Sequence, residues 1–555
     1  MSETAKHVEA RVAELFSQLS GTRVSSLEVK RYPDETSIVA YVDEADFFNA
    51  VEVAEQVQTM LEGEVEQTTL VVVRKASTPS VPNPEPIDRR LGVRDERVAE
   101  LVRLISARSR VSSAASNLVY LPDSRASLSA VTAARHHLVF GRRGAGKSAL
   151  LVEARNRVVA GGDIASWTNI QTLRRESSER IFLYVISDIL RSLLSSRTNV
   201  PAKSSLYSSI TELGAHVNDL LASDSSDTVR VERIVPRVQR ALSDYMSVDG
   251  RSVYVFIDDF YYVSRAMQPA ILDMVHAAVR DSNVWLKIAS IRHLTNWWQA
   301  APPLGLQSGQ DADLIDLDVT LQDPEGASTF LEGILLEYAR QVGVGSLSRI
   351  FNRAALDRLV LASGAVPRDY MVLAVSAIAR ALRRGNARLV GVQDVNQVAG
   401  DAANSKIQEL EEDMAANEGA AARTLATLSD LRSFCLDEKA FTYFLVGYRD
   451  KESLATEYSL LADLLDVRLI HLVDHSVSGG HEAGSRFEAF MLDLSQFSGS
   501  RLKQKINVLD FDGGHFLARQ TRGVEAAKRG GTSRELIAIL RAAPTYELSR
   551  LSEKG

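Results

Sequence analysis

A chain of 555 residues is too long for one hydrophobic core and implies about three or four domains. With 45% hydrophobic and 24% charged residues it has the composition of a water-soluble globular protein, and a net charge of −7 excludes a protein that coats nucleic acid over its whole surface. A single cysteine, Cys435, excludes an internal disulfide framework and a cysteine-based zinc site, no apolar run approaches the roughly 18 residues of a membrane span, and the expected location is the cytoplasm.

Residues 1–76 read as a unit of their own. An amphipathic helix to about Ser20 is followed by the strands VSSLEVKRY and TSIVAYVD around a turn at Pro33-Asp34-Glu35, a helix from about Asn49 to Leu61, and the strand TTLVVVRK. This α-β-β-α-β order predicts a small α/β docking domain without a cluster of catalytic residue types. The stretch STPSVPNPEP (Ser77–Pro86) propagates neither a helix nor a central strand, so residues 77–90 form an extended linker.

Helical sequence resumes at about Arg89 and is followed by LVYLP, a short helix and the apolar run Leu138-Val139-Phe140. That run leads into Gly141-Arg142-Arg143-Gly144-Ala145-Gly146-Lys147-Ser148 and then a helix. The spacing is the phosphate-binding P-loop G-x-x-x-x-G-K-[ST] between a strand and a helix. Glycines let successive backbone N–H groups turn toward phosphates, and the helix that follows aims its positive end at them. Gly141, Arg143, Gly144, Ala145, Gly146, Lys147, Ser148 and Ala149 are therefore the candidate residues for ATP, with Lys147 reaching the terminal phosphates and the Ser148 hydroxyl a ligand of Mg²⁺.

Next come a strand over Ile164–Leu173, a long amphipathic helix, a Ser-rich stretch near Asp224–Asp227, a further helix, and RSVYVFIDDFYYV. In the last, YVFI reads as a strand buried on both faces, which places Asp258 and Asp259 at the sheet edge beside the P-loop about 110 residues after it. This is the Walker B element, with Asp258 for the metal and Asp259 to orient or deprotonate the attacking water. Strands at Val284–Ile291 and Leu314–Leu321 complete a five-stranded parallel sheet over residues 91–322. Residues 323–404 are read as purely helical, with GAVPRDY (Gly364–Tyr370) at a helix junction. Residues 405–555 are read as a helix at Asp437–Tyr448, a recognition helix at Ser453–Asp466, the strand LIHLVDHSV, a glycine-rich tip and RFEAFMLDL: a winged helix followed by a tail.

Together these elements resemble the AAA+ class of P-loop ATPases, in the branch that holds the origin-recognition (Orc/Cdc-type) ATPases and the signal-transducing STAND ATPases. The resemblance covers about Leu91 to Asp401 and extends into the winged helix to Leu494. It implies that Ser290 to Arg292 hold the sensor-one positions and that Arg368, in the first turn of a lid helix, holds sensor two. Arg292 and Arg368 thus join Asp259 as candidate catalytic residues. Two departures stand out. The second acidic residue is Asp259 where motors of this class carry Glu, shortening its reach by about 1.5 Å, so slow turnover is expected. His293–Leu314 contains no Arg or Lys, so no arginine finger precedes the fifth strand and a ring-forming motor is disfavoured.

The recognition helix has no Lys or Arg and carries Glu457, Asp463 and Asp466, which ill suits a major groove. Basic residues at Arg501, Lys503, Lys505, Arg519 and Arg522 leave a weak DNA contact open. His471 and His475, about 13 Å apart along a strand, are too far apart to share a metal. The sequence thus points to an ATP-dependent molecular switch that controls assembly of a protein complex through its N-terminal domain and winged helix, with a nucleotide-dependent oligomer left open. An origin-recognition-like DNA loader and a non-hydrolysing ATP-bound scaffold are the alternatives.

Overall fold

A computed structural model describes residues 3–31, 35–43, 46–62, 68–75, 92–108, 126–196, 199–223, 228–413, 419–478, 485–497, 506–512, 515–520, 528–530 and 533–552. The linker, the LVYLP stretch, the Asp224–Asp227 stretch, the glycine-rich tip of the wing, and Arg501, Lys503, Lys505 and Arg522 lie outside these residues. The chain divides into two units, Met1–Arg90 and Leu91–Gly555.

In the first unit α1 (Glu3–Ser20), β1 (Val24–Arg31), β2 (Glu35–Val42), α2 (Phe47–Glu62) and β3 (Thr68–Lys75) follow the α-β-β-α-β order. The sheet order is β1-β2-β3; β1 and β2 pair antiparallel, and α2 makes the crossover that lets β3 pair parallel to β2. Alternate residues Ile38, Ala40 and Val42 of β2 join Val12, Leu15, Phe16, Val57 and Leu61 of the helices in one core.

In the second unit α3 (Glu96–Arg108) and α4 (Ser127–Val131) precede β4 (His137–Phe140), α5 (Lys147–Ala160) and β5 (Ile164–Asn169). Three helices, α6 (Ser178–Ser195), α7 (Ser205–Ala222) and α8 (Thr228–Asp249), then lead to β6 (Val253–Asp258), α9 (Gln268–Val279) and β7 (Val284–Ser290). A short hairpin of β8 (Trp298–Ala300) and β9 (Pro303–Gly305) precedes β10 (Asp313–Asp316). The sheet runs β10-β4-β7-β6-β5, all parallel. Every residue of β6 is buried, as its unbroken VYVFID run requires of a central strand covered on both faces.

Two of the expected strands are shorter than read. The second ends at Asn169, whose side chain accepts the Gln171 N–H and turns the chain into a 3₁₀ segment. The fifth ends at Asp316, where the carboxylate accepts the Asp318 N–H and bends the chain away.

The lid consists of α10 (Pro324–Gln341), α11 (Arg353–Ser363), α12 (Pro367–Arg383) and α13 (Val392–Asp413), the last running past residue 404. Then come α14 (Ala420–Arg432), β11 (Tyr443–Gly447), α15 (Tyr448–Ser453), α16 (Ala455–Asp466), β12 (Ile470–Ser478) and β13 (Arg486–Leu492), with sheet order β11-β13-β12, a winged helix. The helix expected at 437–448 is not there: Ser433–Lys439 makes a π-helical turn closed by Ala440 at φ 56°, and Tyr-Phe-Leu-Val pairs as a strand with β13. A second small sheet of β14 (Asn507–Asp512), β15 (His515–Gln520) and β16 (Lys528–Gly530) and the helix α17 (Ser533–Arg541) follow.

One apolar core runs without a break from α3 through the lid helices into the winged helix and β14, whereas the parallel sheet has its own clusters on its two faces. Lid and winged helix are therefore one packed body that sits against the sheet domain. Among the described residues no helix is long and apolar enough to cross a membrane.

Candidate functional site

The loop between β4 and α5 is folded as its glycines require. Gly144 and Gly146 have φ of 80° and 101°, in the region that side chains rarely adopt. At Gly144 the need is also steric: an added Cβ would lie 2.7 Å from the Arg368 Cβ, because the first turn of α12 rests directly on the loop. The Arg368 N–H donates to the Gly144 carbonyl at 3.3 Å. On the other side of the loop the Arg142 N–H donates to Asp318 at 2.7 Å, and its guanidinium donates to the carbonyls of Val319 (2.8 Å) and Gly364 (3.3 Å). Ala145 turns the loop by donating to the Arg142 carbonyl, and Ala149 lies in the first turn of α5.

Lys147 is 7% exposed and donates to the carbonyls of Gly141 (2.6 Å) and Arg142 (3.1 Å), so the ammonium is held by the loop itself. Burial lowers its pKa, opposed by the carboxylates of Asp318, Asp466, Asp259 and Asp258. The carboxylates favour the charged form of Lys147, the form that attracts anionic phosphate oxygens.

Asp258 ends β6 and is buried. Burial, and then the neighbouring Asp259, raise its pKa to about 6, against a hydrogen bond from Ser148 and the charge of Lys147. Asp259 follows at φ 59°, a left-handed conformation in a residue other than glycine, and donates its N–H to Asp258 at 3.0 Å. Its pKa is also raised by burial, against Lys147, a hydrogen bond from Tyr261, and Arg143. The Tyr261 ring lies 5.2 Å from the Arg143 guanidinium carbon and 6.0 Å from Lys147 Nζ. A pair of hydroxyl and carboxylate oxygens at Ser148 and Asp258 is the hard donor set Mg²⁺ takes, and a cation there would relieve a buried carboxylate whose charge is otherwise disfavoured.

The remaining candidates differ in placement. Ser290 pairs in register with Phe140, which leads into the loop; it is fully buried, and its hydroxyl is engaged with Thr295 at 2.6 Å. Arg292 is exposed, with its guanidinium 3.8 Å from Asp316 at the end of β10. The side chain of Arg368 is exposed and has no hydrogen bond or ion pair with a described residue, although its backbone is fastened to Gly144. His471 and His475 serve structure: His471 Nε2 lies 2.7 Å from Asp493, which also pairs with Lys406, and His475 contacts Gln322.

Sequence reasoning missed the winged helix's part in this site. Asp466, the last residue of α16, is 6% exposed; one carboxylate oxygen is 3.9 Å from Arg143 Nε, and the other has no hydrogen-bond partner among the described residues. Arg468, two residues on and 2% exposed, donates to the Arg143 carbonyl at 3.3 Å and lies 2.8 Å from Asp369 of the lid. His471 packs so closely on Gly364 that a Cβ there would meet its ring at 2.0 Å. The signal in the sequence is the acidic end of a helix in the recognition position, of which Asp466 meets Arg143 of the P-loop.

Strand order, P-loop and following helical lid define a P-loop α/β nucleotide-binding core with a C-terminal winged helix. No protein-family model matches the chain, and no curated protein matches it. Among solved structures it is similar to Cdc6p from Pyrobaculum aerophilum, at 14% identity over 74% of this chain and 93% of that one, with a TM-score of 0.27. It is also similar to Drosophila ORC bound to DNA (12% identity, 64% and 87% covered, TM-score 0.27). A third is the Thermotoga maritima RuvB Holliday junction branch migration motor (12%, 60% and 78%, TM-score 0.26). These proteins are AAA+ ATPases.

Proposed function

We propose that the chain is an AAA+-type ATPase that works as a nucleotide-controlled switch, in which the body formed by lid and winged helix is seated on the P-loop and ATP pivots it about the contact of α12, so that Asp466 leaves the loop while Arg368 stays beside it. The observation that supports this is the pair Asp466 and Arg468, carried by the winged helix and seated on Arg143 of the loop. A triphosphate brings about four negative charges to the N–H groups around Lys147, next to a buried Asp466 carboxylate, and like charges in a dry site repel strongly. ATP binding therefore favours the state in which Asp466 has left.

Lys147 and the loop amides bind the phosphates, Ser148 and Asp258 hold Mg²⁺, and Asp259 orients water. Bound Mg²⁺ supplies neutralisation of charge on the phosphate oxygens. Arg368, whose side chain has no hydrogen bond or ion pair with a described residue, stays beside the loop on the first turn of α12 and distinguishes ATP from ADP. Slow hydrolysis then returns the closed state, and the exposed surfaces of the released body and the N-terminal unit engage the partner protein. The DNA-loader reading gains nothing from α16, whose acidic end is buried against the core.

Calorimetry with ATP·Mg²⁺ and a phosphate-release assay test the reading. Wild-type protein should bind and slowly hydrolyse ATP, while Lys147→Ala should bind none yet stay folded. Binding without phosphate release over a day would make the chain a scaffold, and unchanged affinity in Lys147→Ala would remove the site.

A further inference from the structure

The cations of the P-loop differ in what holds them. Lys147 donates to the carbonyls of Gly141 and Arg142, and the Arg142 N–H donates to Asp318, all groups of the sheet domain. Arg143 is held otherwise: the carboxylate beside it, 3.9 Å away, is that of Asp466 on α16, the element that moves. Its side chain is 17% exposed, and its guanidinium carbon lies 5.2 Å from the centre of the Tyr261 ring. Lys147 Nζ lies 6.0 Å from the centre of the same ring, which Phe260, 1% exposed, anchors by fixing the turn after β6 in the core. Guanidinium and ammonium are thus both within the range of attraction of one aromatic ring. A phosphate that meets Lys147 arrives within reach of the long side chain of Arg143.

Resting on the ATPase reading, we infer that Arg143 is a catalytic residue held in reserve by Asp466: when the winged helix leaves, its guanidinium turns to the γ-phosphate and the bridging oxygen and stabilises the charge that builds there. The planar fork of an arginine presents several N–H donors to neighbouring phosphate oxygens at once. Donors aimed where charge develops act more strongly on the transition state than on the bound substrate. In the step itself the water oxygen bonds to the γ-phosphorus while the bond from phosphorus to the bridging oxygen breaks, its electron pair leaving with ADP. The water's proton passes to an oxygen of the phosphate being formed, and Arg143 keeps its own protons throughout. Departure of Asp466 therefore both admits the phosphates and supplies the catalytic cation, so hydrolysis does not run ahead of the opening.

The test is steady-state hydrolysis by the full chain. Affinities for ADP·Mg²⁺ alone and with aluminium fluoride, which imitates the phosphoryl group in transfer, are measured separately by calorimetry. Arg143→Gln keeps a hydrogen-bond donor and removes the charge. Its kcat should fall roughly 100- to 1,000-fold, as for loss of one donor aimed at developing charge, and its affinity for the aluminium fluoride complex should fall by a similar factor. Affinity for ADP·Mg²⁺ should stay within about threefold, because the contact forms only with the transferring phosphoryl group. Arg143→Lys, which restores the charge, should turn over at least about tenfold faster than Arg143→Gln. An arginine that only shapes the loop would move both affinities together. A kcat for Arg143→Gln within about threefold of wild type, a parallel fall in both affinities, or equal rates in the Gln and Lys variants would each overturn the inference and leave the ATPase reading standing. Wild-type protein that binds ATP without turnover overturns both.

Discussion

Replacing Asp466 by Asn keeps the shape of the contact with the P-loop and removes its charge. Asp466 is nearly buried and lies 3.9 Å from Arg143. At that separation and an effective permittivity near 20, two unit charges attract by about 4 kcal/mol before the cost of drying them. Desolvation takes back much of this, and the carboxylate oxygen with no partner among the described residues adds to the cost, which leaves a net of about 1–2 kcal/mol in favour of the closed state. The same carboxylate lies among the acidic groups that act on Lys147, where phosphate must come. Asp466→Asn should therefore tighten ATP·Mg²⁺ by roughly 5- to 30-fold, since weakening the closed state raises the fraction competent to bind. Isothermal titration calorimetry at low and moderate salt measures this directly. An affinity that weakens or does not move would mean that Asp466 contributes nothing to holding the site closed.

Further outcomes follow from the same geometry. Asp258, with its pKa raised to about 6, must be ionised to hold Mg²⁺, so affinity for ATP·Mg²⁺ should fall about tenfold per pH unit below 6 and stay level above it; Asp258→Asn should show no such slope. In the metal-free protein the sign is opposite. A carboxyl bound more tightly to its proton when folded contributes stability at low pH that is lost between about 4 and 6, so thermal melts of Asp258→Asn should lose that part of the pH dependence. Arg368→Ala should bring ATP and ADP affinities together while ADP binding stays nearly intact, a change of about 10- to 150-fold in preference if one charge-assisted contact is lost; parallel changes in both affinities would assign Arg368 to lid stability alone. The winged helix should bind duplex DNA weakly and without sequence preference in the full-length protein, and a nanomolar shift of one specific duplex at physiological salt would contradict this.

Local chemistry explains what was readable from the chain. The P-loop, the buried VYVFID strand and its two aspartates are each encoded within a few residues, and alternation of strand and helix implies the parallel sheet whatever the loop lengths. The winged helix is legible in outline from β12 and β13, but its first strand reads as part of a helix because Tyr443–Gly447 is too short for its period to show. The β8–β9 hairpin has strands of three residues, too short for a period to show, whereas α7 carries Ile210, Leu213 and Val217 at helical spacing and was readable. Contacts across the site are another matter. Arg468 and Arg143 are 325 residues apart, and nothing in the run DVRLIHL distinguishes an arginine that closes on a phosphate loop from one on a surface. Ser290 and Arg292 depend on the resemblance, which implies a sensor at that strand end; the sequence alone does not show that Thr295 engages the serine or that Asp316 lies beside the arginine.

Release of the winged helix from the P-loop by ATP is the central claim, and a distance measurement reaches it most directly. Cys435 is fully buried, so spin labels at cysteines introduced for the exposed Ala277 on α9 and Thr456 on α16 report on the sheet domain and the winged helix without background from a reactive native thiol. In pulsed dipolar spectroscopy the nucleotide-free protein should give one narrow distance. Saturating ATP·Mg²⁺ should shift the distribution to longer and broader values, and Lys147→Ala should abolish the shift. A distribution that stays narrow and unmoved while calorimetry shows the site filled would contradict the account.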